Sequence, residues 1–370
     1  MLMHVVVGIL CCALLAVLLV EYFVVFLLPR RVKRDPAIAR GLLRSMWLPW
    51  RAAALRLPPV ASDTMLGVYG PLGLLTVLGT LSAGVVLSFA GLHWAFSTNL
   101  GSAHAAGFWQ DLYYSAGTFV SASTPEAPLS AIGKILQIAG ATGGFAVLFI
   151  AIGYLPALFQ AFSGRETAVS RLDARAGSPP CAATLLERSG IHGGWKGLSE
   201  YLREWEPWAA ELMETHLSYP ILGYFRSQHI NQNWLAALTT VVDASAYAVA
   251  YGPPESVGEA ELVFRVGRHS LADLAFAFTR RRGAEPTGSS EGRLTSEGLQ
   301  QLHERLEGSG LHSEPDSEAA KRLNELRESY EPFAVGIANQ LALKLPGWLP
   351  DGEVRENWRA STGHHHRIVP

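Results

Sequence analysis

The sequence predicts an all-α membrane protein in which bilayer-crossing helices precede a water-soluble helical half. Two observations carry this. Val5–Leu28, Met65–Phe96 and Ile135–Phe162 are apolar runs of spanning length, and the last holds no Asp, Glu, Lys, Arg or His across 28 residues, about 42 Å of helix. The acids are also segregated: of 32 Asp and Glu, only Glu21, Asp35, Asp63, Asp111 and Glu126 precede residue 164. The formal charge of −2 and the 17% of charged residues therefore average two unlike halves, and the sharpest break in composition falls near Gly164.

Residues 1–29 form the first predicted span. A cleaved signal peptide does not fit: the apolar run is too long, no charged region precedes it and no small-residue cleavage site follows. Arg30, Arg31, Lys33 and Arg34 come next and mark the cytoplasmic side, which sets the N-terminus outside. Residues 30–64 make a basic cytoplasmic loop, extended by Arg40, Arg44, Arg51 and Arg56 and carrying Trp47 and Trp50, that lies along the inner membrane face. Glu21, inside the first span, is read either as a functional carboxylate or as an interhelical hydrogen-bond partner. Met65–Phe96 returns outward, with Gly67, Gly70, Gly73, Gly79 and Gly84 permitting close helix contacts and Pro71 a kink. His93, Trp94 and His104 mark the outer surface, Trp94 as an interfacial anchor.

The stretch from Phe108 to Phe162 organises the rest. Phe108–Val120 is too short to cross, since crossing takes about 20 apolar residues, and Asp111 is placed to cap its positive end. The Ser-Ala-Ser-Thr-Pro-Glu that follows is not helix-forming. Such backbone at membrane depth is tolerated only where protein buries it or water fills the space beside it. In the long helix beyond, Gly140, Gly143, Gly144 and Gly153 with Pro156 allow either a hinge or close packing, Gly140 and Gly144 having GxxxG spacing. Arg165, Arg171 and Arg175 put the end of this helix in the cytoplasm.

LYYSAGTFVSASTPEAP and the apolar helix after it resemble the pore helix, filter and inner helix of the potassium channel superfamily. IGYLPALFQAFSGRE and LDARAGSPP are similar to bacterial proteins described as two-pore-domain-type potassium channels. The resemblance covers about residues 66–180. It implies a potassium-channel-like pore module at 65–163, made of outer helix, pore helix, filter loop and inner helix, with the first span as an extra N-terminal helix. It also implies a homotetramer around one axis in a bacterial inner (plasma) membrane, with K+ or Na+ as the permeant cations.

This chain departs from the family at the defining motif. Where the family carries Thr-Val-Gly-Tyr-Gly-Asp, it has Ser121, Ala122, Ser123, Thr124, Pro125 and Glu126. A potassium filter aims carbonyls inward with dihedrals that glycine reaches without steric cost, whereas Ser123 carries a Cβ and Pro125 locks φ near about −65°. The expected function is cation transport with weak or altered potassium selectivity. Hydroxyls of Thr118, Ser121, Ser123 and Thr124 remain at the filter level, with the Glu126 carboxylate just outside. In a tetramer Glu126 becomes a ring of negative charge that favours cations; alternatively it caps the loop or pairs with Lys134. The alternative function is a non-conducting, channel-derived sensor or scaffold that acts through its cytoplasmic domain.

Residues 164–370 read as a cytoplasmic helical domain, entered by a charged connector at 164–180. Ala182–Glu204 and Glu206–Leu217 carry apolar residues at helical spacing, with Trp195, Tyr201, Trp205 and Trp208 as core positions. Leu235–Tyr251 has Asp243 in the middle and no flanking cations, so it reads as a buried core helix rather than a fourth span. Glu259–Arg282 is amphipathic, 283–298 reads as a polar loop, Ser317–Leu343 as one helix, and the tail with His364, His365 and His366 as exposed.

No phosphate loop, HExxH, CxxC pair or nucleophile elbow occurs, and Cys11, Cys12 and Cys181 form no pattern, so neither enzyme activity, metal nor cofactor is expected. His216, His229 and Asp243 could meet in a folded helical domain, although their spacings match no metal motif. The basic runs at 30–34 and 280–282 fit lipid headgroups better than nucleic acid.

Overall fold

Every regular element among the described residues is helical. The structure, a computed structural model, describes residues 2–28, 38–98, 107–122, 128, 130–229, 231–279, 293–311, 316–350 and 352. The chain divides into two units, Met1–Gln160 and Ala161–Pro370.

In the first unit, α1 (Leu2–Tyr22) continues into one wider π-turn, Phe23–Leu27, and stops at Leu28, whose extended backbone suits the residue before a proline. α2 (Ile38–Ala54) is a short basic helix. α3 (Pro59–Ala95) starts with proline at its first position and extends six residues earlier than the apolar run alone predicts. α1 and α3 form the core through Leu18, Tyr22, Val77, Leu81, Val85 and Phe89. Two glycines let them approach: Leu18 seats on Gly84 and Cys11 on Gly91. Tyr22 adds a 2.8 Å hydrogen bond with Ser82.

Glu21 has a structural partner. Its Oε1 accepts a 2.9 Å hydrogen bond from the Ala39 amide, so the buried carboxylate satisfies a free donor at the start of α2.

α4 (Phe108–Phe119) is followed by α5 (Ala131–Ala176), whose 46 residues make about 69 Å of continuous helix. Much of the charged connector is thus the last turns of α5 rather than a separate segment. Gly177, at φ +81°, ends it with its amide bonded to the Asp173 carbonyl.

In the second unit, α6 (Ala182–Arg203) kinks at Gly193 and Gly194, and α7 (Trp205–Ser218) leads into a 3₁₀ turn, Pro220–Tyr224. α8 (Trp234–Tyr251) is the axis of this unit: every residue from Trp234 to Ala248 is buried, and Asn233 caps its start. α9 (Pro254–Phe278), α6, α11 (Ser317–Glu328) and α12 (Glu331–Leu341) pack around it.

Two sequence expectations are corrected here. The stretch read as a polar loop contains Arg293, a largely buried side chain, and the start of α10 (Ser296–Leu306), capped by Thr295. Ser317–Leu343 is two helices rather than one. Pro332 has no amide hydrogen to continue a helix through it, so the chain turns at Ser329 and Tyr330 and restarts.

Among the described residues four helices are long and apolar enough to cross a membrane by length and composition: Leu2–Leu27, Pro59–Ala95, Ala131–Ala176 and Trp234–Tyr251. The fourth has 83% of its apolar window buried inside the protein, against 6% for Ala131–Ala176. Apolar surface left bare on α1, α3 and α5 needs an apolar solvent, which makes this a multi-pass membrane protein.

Candidate functional site

α4 is twelve residues, about 18 Å, and cannot cross a bilayer. Its buried side chains, Asp111, Tyr114, Ser115 and Thr118, recur at helical spacing on one face. That face lies against α3, where the His93 ring meets Tyr114 edge-on at 5.3 Å. Asp111 does not act as the side-chain cap that its position suggests. Gly107 is the N-cap, and Asp111 is buried in the first turn, where its charge still faces the positive helix end.

The far end of α4 closes by local chemistry. Ser121 takes φ +57°, its amide bonds the Thr118 carbonyl at 3.1 Å, and the Ala122 amide bonds the Gly117 carbonyl at 2.8 Å. This pair of bonds is a Schellman closure, normally made with glycine at the left-handed position. Serine carries a Cβ into that region, so the turn stores some backbone strain at the first residue of the loop. Ser121 and Ala122 are exposed, whereas Thr118 is buried with its methyl 3.6 Å from where a Cβ on Gly140 would stand. Ser123, Thr124, Pro125 and Glu126 lie outside the described residues.

Three contacts fix the levels of Thr98, Phe119 and Pro128 along α5. A Cβ on Gly133 would stand 3.0 Å from Thr98, just beyond α3, and 2.6 Å from Pro128, at the return of the loop. A Cβ on Gly144 would collide with the Phe119 carbonyl at the tip of α4. Gly133 and Gly144 are eleven residues apart, about 16 Å along the helix. Thr98 and Pro128 thus share the level of Gly133, and Phe119 stands about half a hydrocarbon thickness further along α5.

The remaining α5 residues divide. Gly140 and Gly144 are buried against α4, and Gly143 is 4.0 Å from the Phe89 ring by the same measure. Gly153 has open space around it, and Pro156 is exposed within an unbroken helix. On the opposite side Ile138, Phe145, Phe149, Ile152 and Phe159 form an exposed stripe with Thr142.

No family model, curated protein or solved structure matches this chain.

In the second unit, sequence reasoning missed the polar residues that matter most. Arg293 holds Asp243 with two hydrogen bonds, 3.1 and 2.6 Å, and Glu331 with a third at 3.0 Å. Arg327 and Trp348 also donate to Glu331, and Tyr330 to Asp243. Two cations and two anions thus balance in the core. No local signal marks Arg293, whose partners lie 50 and 38 residues away.

His216, His229 and Asp243 do not converge. His229 is exposed, and His216 is fully buried against Arg165, whose Nη1 approaches Nε2 at 3.3 Å. Arginine has no acceptor, so Nε2 accepts, and Nδ1–H donates to the Leu212 carbonyl at 2.8 Å. Arg165 also donates to the carbonyls of Leu222 and Phe225. Among the described residues no group of three or more His, Cys, Asp and Glu could hold a metal ion.

Proposed function

We propose that the chain is the pore-forming subunit of a potassium-channel-like cation pathway, assembled as a homotetramer, with weak selectivity for potassium. One observation carries it: Thr98 and Pro128 both lie against Gly133, while Phe119 lies against Gly144, about 16 Å further along α5. Backbone that dips to such depth and returns is tolerated where protein buries it or it walls an aqueous passage. The exposed stripe on α5 supports assembly, because among the described residues its apolar side chains stay largely uncovered in a single chain. The missing glycines at Ser123 and Pro125 support altered selectivity, and Glu126 supports a preference for cations. The basic residues after the first span and at the end of α5 support an outside N-terminus and a cytoplasmic second unit, and the family resemblance supports a bacterial inner membrane.

Conductance of the purified protein in a planar bilayer tests the proposal. Cation current is expected with comparable K+ and Na+ permeability, and Glu126→Gln reduces the preference for cations over chloride. Potassium-over-sodium selectivity as sharp as an intact filter delivers would overturn the filter argument. Absence of any current above the protein-free bilayer would favour the non-conducting sensor or scaffold instead.

A further inference from the structure

One side chain fastens α5 to the chain on both sides of the turn Pro220–Tyr224. Arg165, 3% exposed, donates to the carbonyls of Leu222 at 3.0 Å and Phe225 at 3.1 Å, and its Nη1 approaches His216 Nε2 at 3.3 Å. Its Nε donates to Glu166 at 2.9 Å, and Ser227 donates to the same Glu166 oxygen at 3.1 Å. The guanidinium also lies 5.0 Å from the centre of the Phe162 ring, which meets Phe225 at 5.7 Å. His216 before the turn, Leu222 within it and Phe225 after it thus all accept from a single residue of α5.

His216 is neutral in this seat, because Nε2 accepts from the guanidinium while Nδ1–H donates to the Leu212 carbonyl. A proton on Nε2 would remove that acceptor and set two cations 3.3 Å apart in a site sealed from water. The charged group that acts on the ring is Arg165 from α5, with Glu166 bound to the guanidinium Nε. α8 presents the uncharged Trp234 ring at 4.8 Å. α6 and α9, which also pack on α7, bury no charged residue, and Glu211 and Glu214 on α7 itself are exposed. Among the described residues no carboxylate therefore stands against the ring to hold a proton on it.

We propose that Arg165 and His216 form an acid-released latch, in which a proton taken up by His216 frees Arg165 and the turn Pro220–Tyr224 from each other. The seated ring is sealed, so the proton enters when the turn lifts, and acid favours the lifted form. Released, the ring takes up its proton near about pH 6.5. Seated, burial and after it the Arg165 charge hold its pKa well below that. The lifted form therefore gains up to about tenfold for each pH unit below about 6.5, which amounts to about tenfold between pH 7.5 and 5.5. α5 is a single helix from Ala131 to Ala176, so release of its last turns gives acid a route to the inner helix. That consequence rests on the channel reading, whereas the latch itself does not.

Hydrogen–deuterium exchange of the full-length protein in lipid nanodiscs at pH 7.5 and 5.5, corrected for the intrinsic effect of pH on exchange, tests the latch. The amides of residues 219–227 should open about tenfold more often at pH 5.5 and should exchange faster than those of α8 at both values. In His216→Gln, whose side chain accepts from Arg165 but takes up no proton, the change should fall below about twofold. Arg165→Met should exchange fast at both values. A wild-type change under about twofold, an undiminished change in His216→Gln, or exchange of 219–227 no faster than that of α8 would each overturn the proposal, and the first and last of these need no variant. Planar-bilayer current separates this from the channel reading: acid-dependent exchange with acid-independent current, or with none, keeps the latch and removes its link to a pore.

Discussion

The α-carbon of Gly144 lies against the carbonyl oxygen of Phe119, leaving no room there for a side chain. Because that carbonyl belongs to backbone held in a closed turn, it cannot swing aside as a side chain would. The tip of the short helix and the middle of the long one are therefore fixed to each other.

Gly144→Ala should weaken the membrane unit by about 1–3 kcal/mol, the usual cost of forcing extra atoms into a packed contact. Gly153→Ala, which meets nothing within 4 Å, should be neutral or slightly stabilising, since alanine favours helix over glycine. Folded yield and thermal midpoint in detergent distinguish the two. Equal behaviour of both variants would contradict the close contact.

Glu21 acts as an acceptor for a helix start, so what it needs is an oxygen rather than a charge. Glu21→Gln should keep most of the stability, whereas Glu21→Ala should lose about 1 kcal/mol, as removal of a helix N-terminal acceptor generally does. A protein equally damaged by both changes would point instead to a role for the ionised carboxylate.

The buried ion cluster of the second unit should respond sharply to loss of one member. Arg293→Met leaves Asp243 and Glu331 without their shared cation and should cost about 3–5 kcal/mol, read from urea unfolding followed by tryptophan fluorescence. Removing the exposed pair partner Arg171, in Arg171→Ala, should cost under about 1 kcal/mol, because that pair with Glu204 stands in water.

His216 gives a pH dependence. Burial, and after it the neighbouring Arg165 guanidinium, hold its pKa well below the ordinary value. Unfolded, the ring takes up a proton near pH 6.5; folded, it does not. Acid therefore favours the unfolded chain, so the full stability holds above about pH 6.5. It falls as pH drops below that, by up to about 1.4 kcal/mol per unit. Unfolding midpoints at pH 7.5 and 5.5 should differ less in His216→Gln, whose side-chain oxygen can still accept from Arg165. An unchanged difference would assign the effect to other groups.

Much of this was legible from residues alone. The spans follow from length and the lack of charge, and the shortness of Phe108–Phe119 follows from the residues that flank it. The burial of Trp234–Tyr251 follows from a run with no flanking cations around Asp243. Local apolar spacing determines which face of a helix must leave water, because that depends only on the helix repeat.

Only the tertiary structure decided what the buried polar groups do. The stretch 283–298 has the composition of a loop, yet Arg293 enters the core because Asp243 and Glu331 are both buried there and Arg327 supplies only one of the two cations that balance them. Glu21 found a helix start 18 residues on, and Gly144 a carbonyl 25 residues back. A charge or a glycine has no preferred face of its own. Its place is set by whichever distant segment brings the opposite charge or the backbone that must come close.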